Sequence, residues 1–254
     1  MDKSAENNKP IKNRKRFAKI LNICIIIIAV IVLAIEGVLY YQRTYLTPFW
    51  VNGQSMYPTL NFNATDANGN KLDETSGNSG VGYTVDYGVM DTHKSAINKI
   101  KRFDIVVTKY KDGDTRNKIK RVIGLPGETV GFIRTGKDNE ENGDLYINDV
   151  LIEQPIDISF VRSGDYYFKF ASETKETITL EPGKYMEKVT LASNQYFVCG
   201  DNRGHSSDSR EQGPVNKELI TGKVVAICGT AEVYYDTDHF DVKNVDYKWP
   251  KKVK

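Results

Sequence analysis

The chain has 254 residues, with 35 Lys and Arg against 33 Asp and Glu, for a net charge of +2. That length accommodates a membrane segment plus one large or two small folding units. The near balance of charge excludes a nucleic-acid surface as a global property, and three cysteines are too few for a disulfide framework.

The basic residues are unevenly placed. Residues 1–19 carry Lys3, Lys9, Lys12, Arg14, Lys15, Arg16 and Lys19 against Asp2 and Glu6. Residues 20–41 then read ILNICIIIIAVIVLAIEGVLYY, interrupted only by Asn22 and Glu36. A helix needs about 20 residues to cross a bilayer core, and this run suffices. A cleaved secretory signal would have a shorter apolar region and a small-x-small site after it. Here Tyr40-Tyr41-Gln42-Arg43-Thr44-Tyr45 follows, which suits an interfacial aromatic belt. The expectation is a cytoplasmic basic tail (1–19), one uncleaved transmembrane helix (20–41) and an outward-facing domain (42–254). Glu36, near the outer end, reaches the headgroup region.

The outer domain reads as mainly β. Residues 103–110 (FDIVVTKY) and 119–123 are short and β-branched, and Gly124-Leu125-Pro126-Gly127 is a strong turn signal. Further strands are expected at 128–133, 144–152, 177–180, 188–191, 195–199 and 222–234. The turns come too close together for crossover helices, which argues against a parallel βαβ sheet. Residues 61–82 are rich in Asn, Asp, Gly, Thr and Ser and read as an exposed loop, part of a polar insertion over about 61–99. Asp66-Ala67-Asn68-Gly69-Asn70 has its glycine two places too early for a calcium loop and lacks the closing Glu. Residues 136–143 and 172–176 are polar loops, and 236–254 is a polar tail. Cys199 and Cys228 lie in apolar runs, as two buried thiols or as a bridge.

Three segments carry chemistry. Ser55, in Gly53-Gln54-Ser55-Met56-Tyr57-Pro58-Thr59, lies shortly after the apolar run. A serine needs a base and backbone N–H groups aimed at an oxyanion, and Gly53 allows the backbone to bend. A serine that merely caps a turn is the plainer reading. Lys120 sits in Lys118-Ile119-Lys120-Arg121-Val122-Ile123. Buried, it would lose its proton and could serve as base; solvated, it would be one more surface lysine. The turn 200–210 (GDNRGHSSDSR) supplies Asp201, Ser206, Asp208 and Arg210. A Ser-His-Asp arrangement through His205 competes with a surface loop position for that histidine, and the latter is preferred. Histidines and carboxylates do not cluster as a metal site would need, and no metal or cofactor is expected.

Together the segments resemble the type I signal peptidases, membrane-anchored Ser-Lys proteases that remove signal peptides. Residues 53–60 (GQSMYPTL) are similar to that family's nucleophile box and 104–107 (DIVV) to its hydrophobic strand box. Residues 120–128 (KRVIGLPGE) match its lysine box, and 200–210 its last box. The lysine separates the chain from the endoplasmic-reticulum branch, which has histidine there. The resemblance implies twisted antiparallel sheets with a shallow apolar groove that accepts an extended peptide. It implies Ser55 as nucleophile and Lys120 as general base. The Ser55 N–H would form part of the oxyanion hole, where Gly53 offers no side chain. Ser206 would orient the Lys120 amine, and Arg121, Asp201, Asp208 and Arg210 would brace the site. The implied partners are exported preproteins with signal peptides and the lipid bilayer, with no nucleic acid. The implied location is the cell membrane, single-pass, with the N-terminus inside. Phe103 stands where the family often has Gly. Two rival readings share these features: a specialised peptidase for pilin-assembly or conjugation proteins, and a non-catalytic, membrane-tethered β module.

Overall fold

The computed structural model describes residues 9–73, 83–135, 144–156, 168–236 and 239–253. The polar stretches expected at 74–82 and 136–143 lie outside the described residues, as do the first eight residues. The chain divides into two compact units, Met1–Leu46 and Thr47–Lys254.

The first unit is one helix, α1 (Lys9–Tyr45), 37 residues long. At 1.5 Å per residue it extends roughly 55 Å. Its branched and apolar side chains from Ile20 to Leu39 are exposed all round. A helix with apolar side chains on every face is the pattern that fits a membrane anchor. The segment Arg16–Tyr45 is long and apolar enough to cross a membrane, and an 18-residue window within it has a mean hydropathy of 2.9.

The second unit is mainly β, built of antiparallel sheets. Its elements are β1 (Leu46–Trp50), β2 (Tyr83–Asp91), α2 (Lys94–Ile97), β3 (Ile105–Thr108), β4 (Lys118–Gly124), β5 (Thr129–Thr135), β6 (Leu145–Ile147) and β7 (Val150–Ile152). After these come β8 (Lys175–Glu181), β9 (Lys184–Thr190), β10 (Gln195–Cys199), α3 (Ser209–Gln212), β11 (Val215–Asn216), β12 (Ile220–Asp236) and β13 (His239–Lys251). The larger sheet runs β1-β2-β12-β3-β4-β10-β11, with β13 also on β12; the smaller runs β7-β6-β5-β9-β8.

Period-two alternation explains the packing. Ile105 and Val107 of β3 enter one cluster with Val51, Met56 and Leu60, whereas Val106 enters another with Val122, Val198 and Ile220. A third cluster, Ile123, Val130, Phe132, Leu145, Val189 and Phe197, joins the two sheets. The central strands are thus covered on both faces. That is why polar residues on β4 end up desolvated.

Expectation and structure differ in four places. The run 144–152 is a hairpin, turned at Asn148 (φ 50°) and Asp149 (φ 66°). Two consecutive left-handed residues are what a tight hairpin turn requires, and Asn and Asp tolerate them. The insertion at 61–99 contains β2, and its first part is not wholly exposed: Asn61, Ala64 and Leu72 are buried. The polar tail is largely strand, with β13 paired to β12 from Asp236↔His239 to Ile227↔Lys251. Cys199 is a buried thiol and Cys228 a half-buried one; both are free.

Candidate active site

The Ser55 loop is folded by its own backbone. Tyr57 N–H donates to Gln54 O (3.0 Å) and Leu60 N–H to Met56 O (2.9 Å). Asn61, itself left-handed at φ 62°, closes the loop base by donating Nδ2 to Val51 O (2.9 Å) and Gly53 O (3.0 Å). Gly53 has φ 102°, a conformation that side chains disfavour, so the glycine is required at this bend. From the other side Asn202 donates its N–H to Ser55 O (3.1 Å) and its Nδ2 to Gln54 O (3.1 Å). Ser55 is thereby pinned between two asparagines while staying partly exposed.

Lys120 lies in the middle of β4, opposite Val106 of β3, with 3% of its surface exposed. Its Nζ donates to Ser55 Oγ (2.8 Å) and to Ile119 O (3.0 Å). Burial pushes the amine down to about 8, with Lys118 adding to the depression and Asp208, Cys199 and Asp201 opposing it. Among the described residues no carboxylate bonds the amine directly, so desolvation prevails.

Behind the pair lies a buried ionic frame. Arg121 donates Nε to Asp201 Oδ1 (2.8 Å) and Nη2 to Asp201 Oδ2 (2.6 Å), both side chains being fully buried. Thr59 Oγ1 donates to the same Asp201 Oδ2 (2.5 Å), tying the nucleophile loop to the pair. Arg210 makes a second pair with Asp208 through Nε (2.9 Å) and Nη2 (2.9 Å), and Gly200 N–H donates to Asp208 Oδ2 (2.9 Å). Burial alone would raise the Asp208 carboxyl, but Arg210 and the Gly200 N–H outweigh it and hold it below the usual carboxylate range.

The structure brings Ser55 and Lys120 into contact and gathers Arg121, Asp201, Asp208 and Arg210 behind them. Ser206 lies in the same region. Its Oγ is buried against Asp208 without a hydrogen bond of good geometry, and it does not bond the Lys120 amine. It does share tight quarters with Ser55: a Cβ on Gly200 would sit 2.3 Å from both Ser206 Oγ and Ser55 O, so only glycine fits between them. His205 is exposed, and it is Lys120 that holds the Ser55 hydroxyl. Among the described residues the Ser55 N–H has no acceptor.

Several residues went unmarked in the sequence. Thr59 stands inside the nucleophile box, but its link to Asp201 spans 142 positions. Asn61 and Asn202 carry a faint signal, since Asn tolerates the left-handed and turn positions they hold. Arg203, buried, donates to Gly200 O (2.9 Å) and to Gln154 Oε1 (2.6 Å), joining the turn to the residues after β7. Phe103 adopts φ 69°, which explains why glycine suits this position; its carbonyl accepts from Arg121 Nη1 (2.9 Å).

Signal peptidase, peptidase S26, is the family whose sequence pattern the chain matches, over residues 20–228. The chain belongs to that family. It is similar to Signal peptidase I U of Bacillus subtilis (strain 168), 30% identical over 84% of this chain and 88% of that protein. Signal peptidase I S of the same organism is 32% identical over 76% of this chain and 82% of its own. Signal peptidase I of Pseudomonas aeruginosa is 30% identical over 68% of this chain, which spans 57% of that relative. A crystal structure of a signal peptidase I from Enterococcus faecalis V583 is 31% identical, with a TM-score of 0.33, covering 49% of this chain and 96% of that one. Membership makes the chain a serine endopeptidase. The matched span takes in the Ser55 loop, β4 and the 200–210 turn, and stops short of β13.

Proposed function

We propose that the chain is a membrane-anchored endopeptidase that cleaves signal peptides from exported preproteins, with Ser55 as nucleophile and Lys120 as general base. The observation that carries this reading is the 2.8 Å contact between Ser55 Oγ and a buried Lys120 amine held near 8. When the amine is neutral its lone pair accepts the Ser55 proton as Oγ attacks the scissile carbonyl. The oxyanion that forms is met by the Ser55 N–H, and the ammonium then returns its proton to the leaving amine. Arg121, Asp201, Asp208 and Arg210 hold charge and backbone in place behind the reacting atoms. The resemblance implies a shallow groove beside the partly exposed Ser55 that favours small apolar side chains of an extended peptide.

The test is incubation of the purified full chain with a preprotein bearing an Ala-x-Ala site, followed by mass analysis of the new N-terminus. Cleavage after the second Ala is expected, abolished in Ser55→Ala. Replacing that Ala with Phe is expected to stop cleavage; efficient cutting at the same bond would remove the small-pocket argument. An intact product in every case would leave the non-catalytic β module as the better reading.

The anchor reading extends to orientation. Seven basic residues before Ile20 favour an inside N-terminus. Protease added to intact protoplasts is expected to digest residues 42–254 and spare the basic tail. Survival of the β unit until lysis would reverse the orientation and withdraw exported chains as substrates.

A further inference from the structure

Beyond the Ser55 loop the chain runs back along β2. Thr65 and Thr84 exchange backbone hydrogen bonds, each N–H donating to the other's carbonyl at 3.0 Å. Nearer the loop, Asn61 and Asp86 make a second exchange that uses their side chains. Asn61 N–H donates to Asp86 Oδ2 (2.7 Å), and Asp86 N–H donates to Asn61 Oδ1 (2.8 Å). Val51 N–H donates to Asp86 O (2.9 Å). Val51 and Asn61 bracket the Ser55 loop, so one residue of β2 holds both of its ends.

The pair matters through the rest of the Asn61 amide. With Oδ1 bound by the Asp86 N–H, Nδ2 is aimed at Val51 O (2.9 Å) and Gly53 O (3.0 Å). A flipped amide would set donor against donor and acceptor against acceptor at both ends. Burial raises the Asp86 carboxyl, while the Asn61 N–H, Lys248 and Lys251 oppose the rise. The two lysines of β13 thereby favour the ionised carboxylate, the stronger acceptor.

We propose that Asp86 is a positioning residue for Ser55. It touches no reacting atom and acts through Asn61. The Asn61 Nδ2 fixes the Gly53 carbonyl, and with it the bend that brings Ser55 Oγ within 2.8 Å of the Lys120 amine. The proposal rests on the reading of Ser55 as nucleophile. Loosening that bend misplaces Oγ relative to its base and to the scissile carbonyl, which lowers kcat. It removes no contact to the peptide, so KM stays where it is.

The test compares five full-length proteins on a preprotein bearing an Ala-x-Ala site: the parent, Asp86→Ala, Asp86→Asn, Asn61→Gly and the double variant Asp86→Ala/Asn61→Gly. Urea unfolding first defines conditions in which each is folded. Asp86→Ala is expected to lower kcat about 10–100-fold at constant KM. Its pH limb should stay near 8, because the surroundings of Lys120 are unchanged. Asp86→Asn keeps an oxygen for the Asn61 N–H and is expected to recover most of the loss. Asn61→Gly keeps the left-handed backbone and removes only the side-chain bonds, so it should match Asp86→Ala. The double variant should lose no more than the worse single, because both changes break one chain of contacts. A kcat for Asp86→Ala within about 2-fold of the parent, or single losses that multiply in the double variant, would overturn the positioning role and leave Ser55 and Lys120 standing. A loss in Asp86→Asn as large as in Asp86→Ala would overturn it too, since the hydrogen bond alone would then not account for the effect. Absence of cleavage by the parent would overturn the reading of Ser55 and Lys120, and the positioning role with it.

Discussion

Lys120→Arg and Lys120→Ala are each expected to cut preprotein cleavage by at least about 10³-fold, the loss seen when one member of a nucleophile–base unit is removed. Arginine fails because a guanidinium stays protonated and has no lone pair to accept the Ser55 proton. In the proposed mechanism the active species is the neutral amine, and burial brings Lys120 down to about 8. The neutral form appears as pH rises through that value. Rate should climb along a single-proton limb centred near pH 8 and flatten above it. Lys118 contributes to the depression, so Lys118→Ala should move the limb to higher pH with little loss at the plateau. The same depression has a stability signature. Between about 8 and 10.5 the unfolded chain binds the proton that folded Lys120 releases, so stability rises with pH across this window. Lys120→Met removes that dependence, which amounts to roughly 3 kcal/mol, and urea titrations at pH 7 and pH 10.5 read it directly. If Lys120→Arg keeps near-normal activity while Ser55→Ala is dead, the base lies elsewhere, and His205 is the next group to test.

The contact between Ser55 and Lys120 was legible because its signals are local. Ser55 sits in a short box with a glycine at a left-handed bend, and Lys120 interrupts a β-branched strand bounded by a Gly-Leu-Pro-Gly turn. The covered sheet followed from apolar runs such as Ile105–Thr108, buried throughout. What stayed hidden depends on distance along the chain. Thr59 and Asp201 meet only after β10 has been laid beside β4. β2 was missed because a polar stretch precedes it and Gly88 breaks its pattern. That glycine is there because a Cβ would meet Ala226 O at 2.6 Å and the Phe49 ring at 2.9 Å. β13 was missed for another reason: paired only to β12, it keeps the Lys, Asp and Pro residues that edge strands carry. Ser206 stands at the place the motif implies, its hydroxyl buried near Asp208 and close against Gly200.

Breaking the Arg121–Asp201 pair from one side is expected to be the most destabilising single change in the β unit. Both side chains are fully buried, and two short hydrogen bonds join them. Arg121→Met leaves a carboxylate without its cation in a site closed to water, where only Thr59 Oγ1 still donates to it. Asp201→Leu leaves a buried guanidinium without the carboxylate that accepts two of its short hydrogen bonds. Each change is expected to cost about 3–5 kcal/mol by urea unfolding, because an uncompensated buried charge remains. The double variant Arg121→Met/Asp201→Leu removes both charges together. Its loss should be no larger than that of either single, giving a coupling of several kcal/mol across the cycle. Activity is expected to behave differently. Asp201 also receives Thr59, and the adjacent Asn202 holds the Ser55 carbonyl, so the double variant should recover stability while cleaving poorly. Singles that each cost under about 1 kcal/mol would show that water reaches the pair, and would remove the buried frame as the support of the nucleophile loop.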